Sequence, residues 1–332
     1  MANKRILVPG GAGYIGSHAV KALIGSGAEV IVADDLETGF KQAVDPAAKF
    51  YQGDIRDRAF LDDLFDKEHI DGVIHFAAYS QVGQSMEKPL DYYDNNVNGT
   101  RVLLSAMLAH GVKNIVFSST AATYGEPRNI PILESDPTEP TSAYGATKLA
   151  MEQMMRWCAG AYGLNYVSLR YFNACGAHES GSIGEAHEPE SHLIPLILQV
   201  PGGRRPCISV YGEDYPTRDG TCVRDYIHVM DLAEAHLLAM DYLFAGGASD
   251  VFNLGNGVGF TVKEVIAAAE AVVGAPIPAK IVPRRPGDPA QLVASSEKAR
   301  AVLGWKPSRC ELSTIISTAW NWHKNHPNGY GA

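Results

Sequence analysis

Residues 5–34 read RILVPGGAGYIGSHAVKALIGSGAEVIVAD, and the order of textures in this stretch decides the fold. A short apolar run, Arg5–Val8, leads into GGAGYIG, where Gly10, Gly13 and Gly16 are spaced as GxxGxxG. A helical pattern follows from Ile15 to Leu23, and a second apolar run, Glu29–Ala33, ends at Asp34. Strand, glycine turn, helix and strand in that order open a right-handed βαβ unit. Glycines make the tight turn possible and let backbone N–H groups approach a pyrophosphate at a helix N-terminus. The spacing alone is common; the strand–turn–helix setting is what gives it weight. Asp34 stands eighteen residues after Gly16. A carboxylate there accepts from both ribose hydroxyls and repels a 2′-phosphate, and Asp35, Leu36 and Glu37 add no cation. The stretch therefore predicts a bound dinucleotide, NAD rather than NADP.

The alternation continues outward. Apolar runs at Gly72–Phe76, Asn114–Phe117, Asn165–Arg170 and Val251–Leu254 predict further strands, with another before the GDIRD turn that holds Asp54 and Ile55. Val97, Val102, Leu103, Leu104, Met107 and Leu108 recur at helical spacing, and Gly111 sits where a helix stops. Strands alternating with helices predict a parallel sheet covered on both faces. After Arg170 the texture changes. Residues 176–192 are polar and rich in Gly and Glu and predict a long surface loop of the kind that carries function. A helix is expected in the second part of 225–243.

Composition bounds the function. The chain has 332 residues, enough for about two domains. A net charge of −9 argues against nucleic acid or an anionic membrane as the main partner. Cys158, Cys175, Cys207, Cys222 and Cys310 form no CxxC pair, so neither a disulfide framework nor a zinc site is expected, and a cytoplasmic setting follows. No metal is predicted. The apolar run Ile6–Val8 is too short for a signal or membrane segment.

The chemistry is concentrated in two places. Tyr144 and Lys148, in SAYGATK, share one face of a helix that Pro140, Thr141 and Ser142 are placed to start. A phenol with an ordinary pKa near 10 must fall by about three to act as a base at pH 7, which is about 4 kcal/mol of phenolate stabilisation. A neighbouring ammonium and the positive ring of oxidised NAD both favour the charged form. The strand Asn114–Phe117 runs into Ser118, Ser119 and Thr120 at its carboxyl end, where a hydroxyl can relay a substrate proton.

At these residues the chain resembles the extended short-chain dehydrogenase/reductase family, and within it the nucleotide-sugar epimerases. The segments that carry the resemblance run nearly end to end. They are GGAGYIGSH (10–18), VIHFAA (73–78), YYDNNVNGT (92–100), FSSTAATYGEP (117–127), AYGATK (143–148), LRYFNACGAH (169–178), YGEDYPTRDGTCVRDYIHVMDLA (211–233) and PRRPGD (283–288). The resemblance implies a Rossmann-type doubly wound parallel sheet with a smaller C-terminal substrate-binding α/β lobe. Residues 1–173 would bind NAD, with segments around 226–254 returning to that domain, and 174–332 would mainly bind a UDP-sugar. The implied reaction is reversible inversion at carbon 4 of a UDP-hexose through a transient 4-keto sugar.

Carried over by position, Tyr144 is the base, Lys148 its partner and Thr120 the assisting hydroxyl. The cofactor set is Gly10, Gly13, Tyr14, Ile15, Gly16, Asp34, Asp35, Asp54, Ile55, Phe76, Ala77, Ala78, Asn95, Ser118, Tyr144, Lys148 and Tyr171. The substrate set is Thr120, Tyr144, Asn173, His192, Leu193, Ser209, Tyr211, Arg224, Arg285 and Asp288, with the arginines on the diphosphate. Helices over 95–110 and 144–160, each exposing an apolar face, would pair two copies into a four-helix bundle.

Three positions depart from the family pattern: Pro9 replaces a usual Thr, Ser80 replaces a Lys near the cofactor, and Leu292 stands at the gate of the sugar pocket. Leucine is intermediate in size, so N-acetylated hexoses and pentoses stay open as substrates. A dehydratase needs an acid pair directly after the catalytic Thr; Ala121 and Ala122 stand there instead. A non-catalytic NAD-binding sensor is the remaining alternative, and retention of Thr120, Tyr144 and Lys148 together argues against it.

Overall fold

The apolar runs become buried parallel strands. In the computed structural model, which describes residues 1–285 and 288–331, six strands precede residue 172: β1 (Arg5–Pro9), β2 (Glu29–Asp34), β3 (Lys49–Gln52), β4 (Gly72–His75), β5 (Asn114–Ser118) and β6 (Asn165–Tyr171). Seven more follow: β7 (Asn173–Cys175), β8 (Ile208–Tyr211), β9 (Val223–His228), β10 (Asp250–Leu254), β11 (Gly259–Thr261), β12 (Ala279–Val282) and β13 (Gln291–Leu292). β1–β6 and β10 form one seven-stranded sheet in the order β10-β6-β5-β4-β1-β2-β3, with every pairing parallel. The chain builds β1, β2 and β3 to one side and then crosses to β4 on the other. The carboxyl ends of β1 and β4 therefore flank the switch point, where open α/β sheets bind ligands.

Alternation along each strand divides the core in two. Ile6, Val8, Val30, Val32, Ile74 and Val116 face one layer, packed by Val20 and Leu23 of α1 (Tyr14–Gly25) and by Leu232, Ala239 and Met240 of α8 (Val229–Phe244). Leu7, Ile31, Val73 and Ile115 face the other layer. It is built by α2 (Arg58–Glu68), α5 (Gly99–Ala109) and α6 (Ala143–Tyr162) through residues such as Leu64, Leu103 and Met151. Between these lie two short helices, α3 (Val82–Glu87) and α4 (Pro89–Tyr92).

The remaining strands make a four-stranded sheet of β11, β9 and β13 with β7 joined to β9, and a parallel pair β8–β12. Their core is closed by α7 (Leu193–Leu198), α9 (Val262–Val273) and α11 (Leu312–Asn325), which contribute Ile197, Val265 and Ile315. Residues 176–192 hold no helix or strand, as their composition predicts.

Three boundaries differ from the sequence reading. Residues 223–228 belong to the small sheet, and the return to the large sheet starts with α8, not at 226. A second return escaped the reading: α10 (Glu297–Leu303) and Trp305 pack into the first core, and Trp305 Nε1 donates to the Asp231 carbonyl at 2.9 Å. The helix expected over 95–110 opens with a π-helical turn, Tyr93–Asn98, before α5. Such turns are common at functional sites. Here the turn sets Asn96 to bond the Tyr79 N–H (2.8 Å) and carbonyl (3.1 Å) and the Thr147 hydroxyl (3.0 Å).

Trp305 tests whether the late segment is integral to the first core. Trp305→Ala should cost about 3–5 kcal/mol in urea unfolding. Val302→Ala, on the exposed side of α10, should stay within about 0.5 kcal/mol.

Candidate active site

The crevice is built by close approach. A Cβ on Gly16 would lie 2.1 Å from the Gly10 carbonyl oxygen, and one on Gly10, whose φ is +81°, would lie 2.4 Å from the Ala77 nitrogen. Only glycine permits these contacts. The Phe76 and Ala77 N–H groups both donate to the Pro9 carbonyl, at 2.8 and 2.9 Å, so the turn after β4 is locked onto the glycine turn after β1. Pro9 fits as the acceptor, since it has no N–H to satisfy. Gly13 is the N-cap of α1 and supplies no capping side chain, so the first-turn N–H groups remain for an anion.

Asp34 ends β2 and is buried, which raises its pKa. It accepts from the Ala12 N–H (3.0 Å) and the Leu36 N–H (3.0 Å) and keeps lone pairs for ribose hydroxyls. Asp35 is exposed and accepts the Glu37 N–H, so its visible work is bracing the turn. Asp54 holds Arg56 through two nitrogens, Nε at 2.9 Å and Nη2 at 2.7 Å, and Arg56 reaches on to Asp94. Ile55 is buried beside Gly99. Phe76 stacks near His236, with ring centroids 4.7 Å apart, and Asn95 is buried with its amide on Asn96. The Tyr14 hydroxyl donates to the Gly176 carbonyl at 2.6 Å, while its backbone stays at the glycine turn, where α1 opens.

The row of candidate catalytic side chains is set by the start of α6. The Ser142 hydroxyl accepts the Gly145 N–H at 3.1 Å and fixes the first turn, which carries Tyr144; Lys148 follows one turn later. Thr120 caps a short turn, its hydroxyl accepting the Ala122 N–H. The Ser118 hydroxyl bonds the Tyr171 phenol. Burial pushes the Tyr144 phenol up to about 12, with the Thr120 hydroxyl pulling the other way. Burial also brings the Lys148 ammonium down to about 7, against the pull of Glu152.

The Lys148 ammonium donates to the Ser118 carbonyl at 2.9 Å and lies 5.9 Å from the Tyr144 ring centroid.

Beneath the row lies a pair that sequence reasoning missed. Arg170 meets Glu152 through Nε (3.0 Å) and Nη2 (2.5 Å), both side chains almost fully buried, and the Ser119 hydroxyl donates to the same carboxylate at 2.5 Å. The available signal was Glu152 one turn beyond Lys148 on the same helix face, and a lone cation in the apolar run NYVSLRY.

The substrate residues gather on the small sheets. Leu292 pairs in register with Arg224 and packs against Ala121, Tyr124 and Ile132, beside the turn that Thr120 caps. Arg224 is held by Asp288. The Arg285 guanidinium lies 3.9 Å from the Tyr211 ring centroid. Alternation on β8 buries Ile208 and Val210, turning Ser209 and Tyr211 to the open face. The Asn173 amide donates to the Asp225 carbonyl at 3.0 Å. Asp225 was also missed: its buried carboxylate, on β9, accepts the Asn256 N–H at 2.8 Å and the Ala294 N–H at 3.3 Å, tying two loops to the strand. His192 Nδ1 meets Glu185 at 2.5 Å, and Leu193 opens α7 half-buried.

A glycine-turn crevice at a sheet switch point, with a Tyr–Lys helix along its wall and an arginine-bearing lobe beyond, defines a dinucleotide-dependent enzyme that acts on a phosphorylated partner. The chain belongs to the NAD dependent epimerase/dehydratase family, whose model matches residues 6–255. It is 59% identical over 326 residues to the UDP-glucose 4-epimerase of Lacticaseibacillus casei, covering 98% of both chains. It superposes on a crystal structure of a UDP-glucose 4-epimerase with a TM-score of 0.98 and 55% identity, covering 99% of this chain and all of the other. The UDP-glucose 4-epimerase of Bifidobacterium longum, solved in complex with NAD+ and UDP, matches with a TM-score of 0.93 and 43% identity over 98% of this chain and all of that one. Among the described residues, no helix is long and apolar enough to cross a membrane.

Removing one half of the buried pair should be severe. Glu152→Ala strands the Arg170 charge and should cost about 3–5 kcal/mol in chemical denaturation. Arg128→Ala, which breaks an exposed pair with Glu139, should leave the midpoint where it is.

Proposed function

We propose that this chain catalyses the reversible inversion of UDP-galactose and UDP-glucose at carbon 4, with NAD as a resident cofactor. The observation that carries the reading is the catalytic row: the Tyr144 phenol, beside the Thr120 hydroxyl, at the mouth of a crevice whose glycine turn a Cβ would close. End-to-end identity to 4-epimerases supports it.

The residues present fit NAD. The uncapped start of α1, at Gly13 to Ile15, suits a pyrophosphate, and Asp34 suits an unphosphorylated ribose. Asp54 and Ile55 flank the adenine end in this reading, and Phe76, Ala77, Ala78, Asn95, Ser118 and Tyr171 line the remainder. When bound, NAD supplies the two-electron oxidant for carbon 4 and a positively charged ring. Such a charge beside the buried phenol favours its ionised form. Tyr144, ionised, takes the proton of the sugar 4-hydroxyl, and Thr120 assists by hydrogen bonding. Lys148 completes the cationic side of the phenol.

Inversion requires the 4-keto sugar to present both faces. Binding energy therefore belongs on the part that does not react. Arg224, steadied by Asp288, and Arg285, stacked on Tyr211, anchor the diphosphate and the uridine. Ser209, Asn173 and Leu193 complete the pocket, and the apolar wall at Leu292 leaves the sugar room to turn. Ala121 and Ala122 offer no acid to expel a 6-hydroxyl, which separates this site from a dehydratase.

The reading places the enzyme in the cytoplasm, in keeping with five unpaired cysteines. It also extends to a homodimer in which the helices over 95–110 and 144–160 of two copies pair into a four-helix bundle. Val102, Leu103, Leu104 and Met107 pack within the protomer, and exposed apolar groups near these helices include Met86, Leu90, Tyr93, Trp157 and Tyr162.

Tyr144→Phe should lower kcat for UDP-galactose by about 10²- to 10⁴-fold while NAD, measured by release on denaturation, stays at the wild-type level. Full activity in this variant would remove the phenol from the reaction.

A further inference from the structure

The long loop that the reaction leaves unused carries four ligand groups in eight residues: Glu185, His187, Glu190 and His192, spaced E-x-H-x-x-E-x-H. Their ligand atoms all lie within 4.8 Å of one another. His192 Nδ1 is 2.5 Å and His187 Nδ1 3.3 Å from Glu185 Oε1, and each nitrogen is 3.6 Å from a Glu190 oxygen. Four ligands at about 2.0–2.2 Å from a tetrahedral zinc ion stand about 3.4 Å apart, so the observed separations bracket that geometry. The geometry points to a closed structural site for one zinc-type divalent cation, bound by two imidazoles and two carboxylates.

Three observations support it independently. The Glu185 and Glu190 side chains are almost fully buried, and neither forms an ion pair with Lys or Arg among the described residues. Imidazoles are their only ionisable partners among the described residues, so the cluster calls for positive charge, which protonated imidazoles or a dication beside neutral imidazoles would supply. Next, His187 Nδ1 is buried without a hydrogen bond, although both carboxylates are near. A nitrogen surrounded by oxygens yet aligned with none as a donor suits a ligand sharing a metal better than an N–H.

Finally, the loop's own backbone and side chains beyond the cluster hold the ligands in place, as metal ligands generally are held. The Ser191 and His192 N–H groups donate to Glu190 Oε1 at 2.7 and 2.8 Å. The Trp322 indole donates to the Glu185 carbonyl at 3.0 Å, and the Tyr330 hydroxyl bonds both the N–H and the carbonyl of Gly184.

The site ties elements that the reaction needs. His192 is the N-cap residue of α7, directly before Leu193. The ring of Tyr14, at the start of α1, packs edge-on to His187 at 6.1 Å. A bound cation fixes the loop between the cofactor helix and the substrate lobe. It also reassigns His192 from a substrate contact to a positioning residue.

The test uses the full-length protein, stripped with a chelator, reloaded with Zn2+ at neutral pH and desalted. About one zinc per chain should remain, and Co2+ loaded in its place should give the visible absorption of a tetrahedral site. The double variant H187Q/H192Q and the single variant Glu190→Gln should each retain under a tenth as much. Chelation should lower the melting temperature of the wild type and leave that of the double variant unmoved. Wild-type protein that is folded and NAD-bound but retains no stoichiometric zinc, cobalt or manganese overturns the site. So do variants that keep the full equivalent, which would place the metal on other residues such as the cysteines.

Discussion

The architecture depends on one close approach. Helix α1 leaves β1 so tightly that Gly16 lies against the Gly10 carbonyl, and the turn after β4 rests on the same segment through two bonds to Pro9. No side chain fits between these backbones. The result is a crevice floor made of peptide groups, at the one place where the strand order reverses. Everything proposed for a dinucleotide follows from it. N–H groups are free for a pyrophosphate, Asp34 stands at the neighbouring strand end, and the β5 terminus delivers Ser118 to Thr120 opposite.

The second constraint is burial of the Tyr144 phenol. Burial pushes its pKa up to about 12, with the Thr120 hydroxyl pulling the other way. In the proposed reaction this phenol is the base, and a positive charge brought in by a cofactor would favour its ionised form. The Glu152–Arg170 pair below keeps α6 in register with β5 and β6, so the row is steady while its charge state changes. At the other end, Arg224 held by Asp288 and Arg285 stacked on Tyr211 would, in the proposed reaction, fix the part of the substrate that does not react.

Much of this was legible in the sequence because parallel strands buried on both faces read as short apolar runs, and helices between them keep a 3.6-residue period. Glycine spacing and Asp34 placed the crevice for the same reason: local geometry dictates those residues. What escaped was set by contacts across long chain separations. Trp305 returns to the first core although its neighbours look like a surface helix. Arg170 in an apolar strand has a partner eighteen positions earlier. Asp225 serves loops near 256 and 294. Helical spacing put Lys148 on the face of Tyr144, and the Ser118 carbonyl that its ammonium also meets was invisible to periodicity. The polarity of 176–192 predicted a loop, and only folding shows that Glu185, His187, Glu190 and His192 within it converge.

The central claim is that this crevice, with these three side chains, inverts carbon 4 of a UDP-hexose on a cofactor it already holds. The most direct measurement mixes purified protein with UDP-galactose, adds no NAD, and follows UDP-glucose by chromatography, with UDP-N-acetylgalactosamine and UDP-arabinopyranose run alongside. The account predicts conversion of UDP-galactose to an equilibrium mixture without added cofactor. No conversion of any of these sugars, even after NAD is supplied, would contradict it.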